Sequence, residues 1–144
     1  MSRGAAPVRQ LPGTADEIRA RVPAVLEAYE FTRDNVLRRG VVDQDLKELC
    51  FRFLAGAPAM RDVAGRTQRE RAALEWAEAI AYDSDRAGDA LWSLLHLLFS
   101  ESELVDLGCA IGFELGYQHW RRTIGLAPRD DCRMRAVSLG SAGS

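Results

Sequence analysis

Apolar positions along this chain recur about every 3.6 residues and never alternate strictly. Leu46, Leu49, Cys50 and Phe53 fall at i, i+3, i+4 and i+7, and Leu91, Leu94, Leu95 and Leu98 repeat the spacing. Each set makes one apolar stripe on a helix. Polar residues mark where the helices start. Thr14-Ala-Asp-Glu17, Thr67-Gln-Arg-Glu70 and Ser100-Glu-Ser-Glu103 all read as capping boxes, in which hydroxyl and carboxylate satisfy each other's backbone N–H. Pro23 suits the first turn of a helix that runs to about Arg39 and stops at Gly40. Asp43 is placed to cap the next helix, which ends at Gly56 and Pro58, and Ser84 to cap the leucine-rich one. The Thr67 box opens a helix to about Tyr82, and the Ser100 box opens a long one from Glu101 to about Gly125.

No strand is expected, because Val41-Val42 is the only β-like pair outside a helical pattern. No internal repeat is evident. The expectation is an all-α, single-domain bundle of about six helices with short connections. Residues 1–13 read as an N-terminal tail, 14–127 as the helical domain and 128–144 as a C-terminal tail.

Composition narrows the functional classes. A chain of 144 residues with 47% apolar content can bury a real core. A formal net charge of -2 gives no reason to expect a nucleic-acid or membrane-surface partner. No apolar run is long enough to span a bilayer, and Met1–Gln10 lacks the apolar segment of a secretory signal. Cys50, Cys109 and Cys132 are odd in number and far apart, as suits a reducing, cytoplasmic setting. Cys50 and Cys109 read as small core residues and Cys132 as a tail thiol. With two histidines and no zinc-like spacing, neither a metal nor an organic cofactor is expected.

Candidate chemistry gathers on the long helix. Gly108, Gly112 and Gly116 form a smooth stripe, although each glycine costs a helix about 1 kcal/mol against alanine. That pattern predicts a close-packed neighbour, either within the chain or in another subunit. Glu114 lies between Ile111 and Leu115, one turn before Gln118 and two before Arg121. A carboxylate on a largely apolar helix must be paired, protonated or facing a cavity. If buried, it would move protons near neutral pH; otherwise it is part of a polar ladder with Gln118 and Arg121. His119, near the helix C-terminus, titrates near neutrality and is either an acid–base group or an exposed cap-like histidine. Arg121 can fork a carboxylate. Tyr117 and Trp120 line an aromatic pocket or fill the core, and His96 sits at the border of a leucine-rich helix.

The motifs also resemble a known family. Thr67-Gln-Arg-Glu-Arg-Ala-Ala-Leu-Glu-Trp-Ala-Glu-Ala-Ile80 is similar to the "ERAAL…AEA" helix of carboxymuconolactone decarboxylase-like proteins. Phe99 to Leu107 resembles the start of that family's last helix, and Gln118 to Leu126 its ending. Leu46-Lys-Glu-Leu49 is similar to the segment preceding its redox motif. The resemblance spans residues 20 to 127. It implies an alkyl hydroperoxidase D-like bundle and homo-oligomers, dimeric, trimeric or hexameric, with sites near subunit contacts.

One departure redirects the expected chemistry. Redox-active relatives carry Cys-x-x-Cys followed by histidine, but the matching positions here are Met60, Val63 and Thr67. Thiol peroxidase activity is therefore not expected, since it needs a low-pKa thiolate beside a resolving thiol. Glu48 matches a proton-relay glutamate of the redox relatives, or it simply pairs with Arg52 one turn on. What the resemblance leaves is cofactor-free acid–base chemistry of lyase, decarboxylase or isomerase type on a small carboxylated or cyclic compound. Glu114, His119 and Glu48 would be its catalytic groups, and Arg121, Tyr117, Trp120 and His96 its substrate-binding groups. The competing expectation is a degenerate member that binds a ligand or acts as an oligomeric scaffold without turnover.

Overall fold

The computed structural model describes residues 11–56 and 64–130, and these hold six α-helices. They are α1 (Ala15–Arg19), α2 (Pro23–Thr32), α3 (Gln44–Leu54), α4 (Gln68–Tyr82), α5 (Asp89–Leu98) and α6 (Glu101–Thr123). Among the described residues there is no strand. Pro58, Met60, Val63, Cys132 and most of the two expected tails lie outside the described residues.

The three capping boxes form as the sequence predicts. The Thr14, Thr67 and Ser100 hydroxyls accept the Glu17, Glu70 and Glu103 amides, and each glutamate accepts the amide of its cap. Pro23 opens α2 at its first turn. Two details differ from expectation. The Ser84 region forms only a 3-10 turn (Ser84–Arg86), and α5 starts at Asp89 after Gly88. The second predicted helix does not run evenly to Arg39 but widens into a π-turn over Arg33–Leu37, closed by the Arg38 amide donating to the Arg33 carbonyl (2.9 Å).

The main core lies where α3, α4, α5 and α6 meet. Leu46, Leu49, Phe53 and Leu54 from α3 face Leu107 and Ile111 of α6. From α4, Ala72, Ala73 and Ala77 are fully buried, and such small side chains let the helix backbones approach closely. Gly108 has the same role: a Cβ there would lie 2.7 Å from Trp76 Cη2. A second, smaller cluster of Leu37, Phe51 and Ala110 lies on the far side of α3. It joins the π-turn to α6 and forms the floor beneath the candidate site.

A buried polar knot fixes the π-turn. Lys47, the chain's sole lysine, is 0% exposed. Its ammonium donates to the Val36 carbonyl (2.7 Å), the Arg39 carbonyl (2.8 Å) and Asp106 Oδ1 (2.7 Å). Asp106 Oδ2 accepts the Val41 and Val42 amides at 2.8 and 2.9 Å. All three ammonium donors are used, so the buried charge is both paired and fully hydrogen-bonded, as burial demands. Gly40 meets the same knot with φ +146°, and a Cβ there would collide with the Asp106 carboxylate and Lys47 Nζ. Only glycine fits on both counts.

α2 is the exception to this packing. None of its ten residues is buried, and Val25 and Phe31 are 49% and 67% exposed.

Candidate functional site

Between α1, α2, the π-turn, α3, α6 and the segment after α6 lies a cavity of about 350 Å³. Five arginines line it (Arg19, Arg33, Arg38, Arg121 and Arg129) against three carboxylates (Glu48, Glu114 and Asp130). Tyr29 and Tyr117 contribute its aromatic wall, and Phe51 and Leu37 its floor.

Glu114 is the most deeply placed acid. Helical periodicity sets it on the face of α6 that also carries Ile111, Gln118 and Arg121, and the residue is 8% exposed. Gln118, fully buried, donates through Nε2 to Glu114 Oε2 (2.8 Å) and to the Phe51 carbonyl (3.0 Å). Arg129 Nε lies 3.4 Å from the same carboxylate oxygen. Burial pushes the Glu114 carboxyl above the ordinary glutamate range, and the nearby Glu48 charge adds to that. The Gln118 amide and the Arg129 and Arg121 guanidiniums oppose the rise without cancelling it.

Glu48 comes from α3, and Arg129 bridges it to Glu114. Arg129 Nη2 donates to Glu48 Oε2 (2.9 Å), so Glu48 is engaged by Arg129 rather than by Arg52 one turn along. Two carboxylates from different helices thus share one guanidinium. Arg121 is held by the segment after α6: Nε donates to the Ala127 carbonyl (2.7 Å) and Nη2 to Asp130 (2.6 Å).

On the opposite wall, the Arg19 guanidinium stacks 3.5 Å from the centroid of the Tyr29 ring, with Trp120 at 4.9 Å and Tyr117 at 5.6 Å. Tyr29 meets Tyr117 edge to face, centroids 4.9 Å apart. Burial raises the Tyr29 hydroxyl's pKa above its ordinary value, keeping it a donor. Arg33 leans on Asp34, its neighbour in the chain.

The structure brings together only part of the expected residue set. Glu114, Glu48, Arg121 and Tyr117 share the cavity. Trp120 lines an adjoining cleft. His119, read as an acid–base group or an exposed histidine, is exposed and is not part of the cavity wall, so it and Glu114 lie on different faces of α6. His96 is also exposed and lines a different, shallow groove with Trp76 and Trp92. Cys109, expected in the core, is exposed, whereas Cys50 is fully buried and its thiol is pushed up to about 12 by burial. The glycine stripe divides too: Gly112 and Gly116 have no described atom within reach of an added Cβ.

Sequence reasoning missed Arg19, Arg33, Arg38 and Arg129. For Arg19 there was a signal: it shares the inward face of α1 with Ala15 and Ile18, four and one residues before it. Arg129 carried none, because it lies beyond the last helix in a stretch read as tail. Among the described residues, no group of three or more histidine, cysteine, aspartate or glutamate side chains could hold a metal ion. No described helix is long and apolar enough to cross a membrane. No protein-family model matches the chain, and no curated protein or solved structure matches it significantly.

Proposed function

We propose that this protein is a cofactor-free acid–base enzyme acting on a small organic acid, with Glu114 as the proton-transfer group. The observation that carries this reading is a buried carboxyl, its pKa raised by burial, opening onto a cavity lined by five arginines. Arginine forks bind a carboxylate through both oxygens and stabilise the negative charge that builds up when a neighbouring carbon loses its proton. A glutamate with a raised pKa can take that proton and return it to the same or an adjacent carbon. That sequence is isomerase or lyase chemistry. If carbon dioxide leaves instead, protonated Glu114 supplies the proton that quenches the carbanion, which is the decarboxylase case implied by the motif resemblance. Glu48 shares Arg129 with Glu114 and its charge adds to the rise in the Glu114 pKa, and Arg121 and Tyr117 position the substrate.

A second reading is ligand binding without turnover in an oligomeric member of the same family. It draws support from the internal pairing of the arginines: Arg121 is already held by Asp130, and Arg129 by two glutamates.

Incubation with a panel of small carboxylic and lactone acids in deuterated water tests both readings. Proton NMR would follow deuterium entry next to the carboxylate, or loss of the acid. The enzyme reading expects exchange or conversion in the wild type and a loss of at least 100-fold in Glu114→Gln, with binding retained. Binding without exchange in either protein would favour the second reading. No binding at all would sink both.

A further inference from the structure

Next to the arginine-lined cavity lies a second, apolar cleft of about 440 Å³ between α2 and α6. Arg19, Tyr29 and Tyr117 belong to the walls of both. We infer that the two spaces form one bipartite site for an amphipathic organic acid, its carboxylate in the arginine cavity and its alkyl or aryl tail in the cleft. The inference rests on the proposed function for the head group and extends it to the rest of the ligand.

Two independent observations support it. Arg19 is 4% exposed, and among the described residues its buried Nη2 has no hydrogen-bond acceptor. Its other terminal nitrogen is bound to Asp16 at 3.1 Å. A buried donor without an acceptor is costly and rare, and a carboxylate entering from the cavity supplies what is missing. The second observation is α2 itself. It is rich in apolar residues yet buries none of them, and Ala24, Val25 and Ala28 line the cleft opposite Trp120. A flat or extended apolar tail fits between these small side chains and the indole. Arg19 Nη2, a charged donor left without an acceptor among the described residues, selects an acid over a neutral or cationic molecule of the same shape.

The test is an NMR titration of the full-length protein with acetate, butanoate, hexanoate and octanoate, and with octanol and octylamine as charge controls. Burial of each methylene predicts affinity rising by up to about fourfold per CH2. Octanol and octylamine should bind at least tenfold more weakly than octanoate. Ala28→Trp fills the cleft from an exposed helix position and should flatten the chain-length dependence. Arg19→Met should weaken every acid; if it fails to fold, the Ala28→Trp result still decides.

If acetate binds as well as octanoate, the tail cleft is refuted while the head-group reading stands. If no acid binds, both fall. Equal binding of octanol and octanoate would show an apolar groove that does not recognise an anion, which overturns the inference. So would sedimentation showing that the cleft is a contact between copies, with Ala28→Trp dissociating them.

Discussion

Removing the Asp106 carboxylate is the perturbation whose effect can be worked most fully from the structure. Asp106→Ala deletes the only carboxylate on the Lys47 ammonium among the described residues, and the acceptor of the Val41 and Val42 amides. The ammonium, 0% exposed in the intact protein, would be left with two carbonyls and no counter-charge among the described residues. Breaking a buried ion pair from one side costs about 3–5 kcal/mol, because the surviving charge is left uncompensated. That is a large fraction of the about 5–15 kcal/mol by which domains are stable. In a domain of this size it lowers Tm by about 10–20 °C. Denaturant unfolding followed by circular dichroism measures the loss directly. The double variant Lys47→Met/Asp106→Ala should recover about half of it, since the orphan charge is gone while the carbonyls and amides stay unsatisfied. Because Lys47 also grips the Val36 carbonyl, the single variant should loosen the π-turn that presents Arg33 and Leu37 to the cavity. A single variant within about 1 kcal/mol of wild type, or a double variant no better than the single, would refute the knot as described.

Other expectations follow from the same geometry. Cys50, buried and with its thiol raised to about 12, should resist maleimide in the native protein while exposed Cys109 reacts, as mass spectrometry of labelled peptides would report. Equal labelling would contradict the burial. Gly108→Ala should destabilise by up to about 2 kcal/mol, because the clash with Trp76 outweighs the helix-propensity gain. Gly112→Ala and Gly116→Ala should each stabilise the isolated chain by about 1 kcal/mol; destabilisation or a change in oligomer size would place another subunit on that face. For Glu114, the folded-state pKa lies above the unfolded one, so the folded protein holds the proton more tightly. Stability from this group therefore falls as pH rises from the ordinary carboxylate range through the folded value, then levels off. The capping glutamates, whose pKa values are lowered, slope the other way and are common to both proteins. The difference between wild type and Glu114→Gln should isolate the Glu114 slope, and parallel curves would count against it.

The helices were legible because their signals are local. Capping boxes act within four residues and the apolar period within two turns, so Thr14, Thr67 and Ser100 mark real starts. The π-turn was not legible, because it is held by Lys47 and Asp106, 59 residues apart. Glu114 and Arg121 could be found because a charged residue on an apolar helix face needs an explanation. For His119 the sequence left two readings open, an acid–base group or an exposed histidine, and five positions along α6 from Glu114 turn its side chain toward solvent. The cationic wall was invisible, since Arg19, Arg33 and Arg129 come from three different segments and only the tertiary fold gathers them. The alkyl hydroperoxidase D-like arrangement expected from the motifs is a narrower claim than the all-α architecture observed.

Glu114 is a buried carboxyl with a raised pKa in an arginine-lined cavity, and the proposed function depends on that shift. Its most direct test is a pH titration of the Glu114 side-chain carbonyl by carbon-13 NMR, assigned with Glu114→Gln, with and without phenylacetate. The expected midpoint lies above the ordinary glutamate range in the free protein and moves higher when the anion binds nearby. A midpoint at or below the ordinary value, unmoved by the acid, would contradict it.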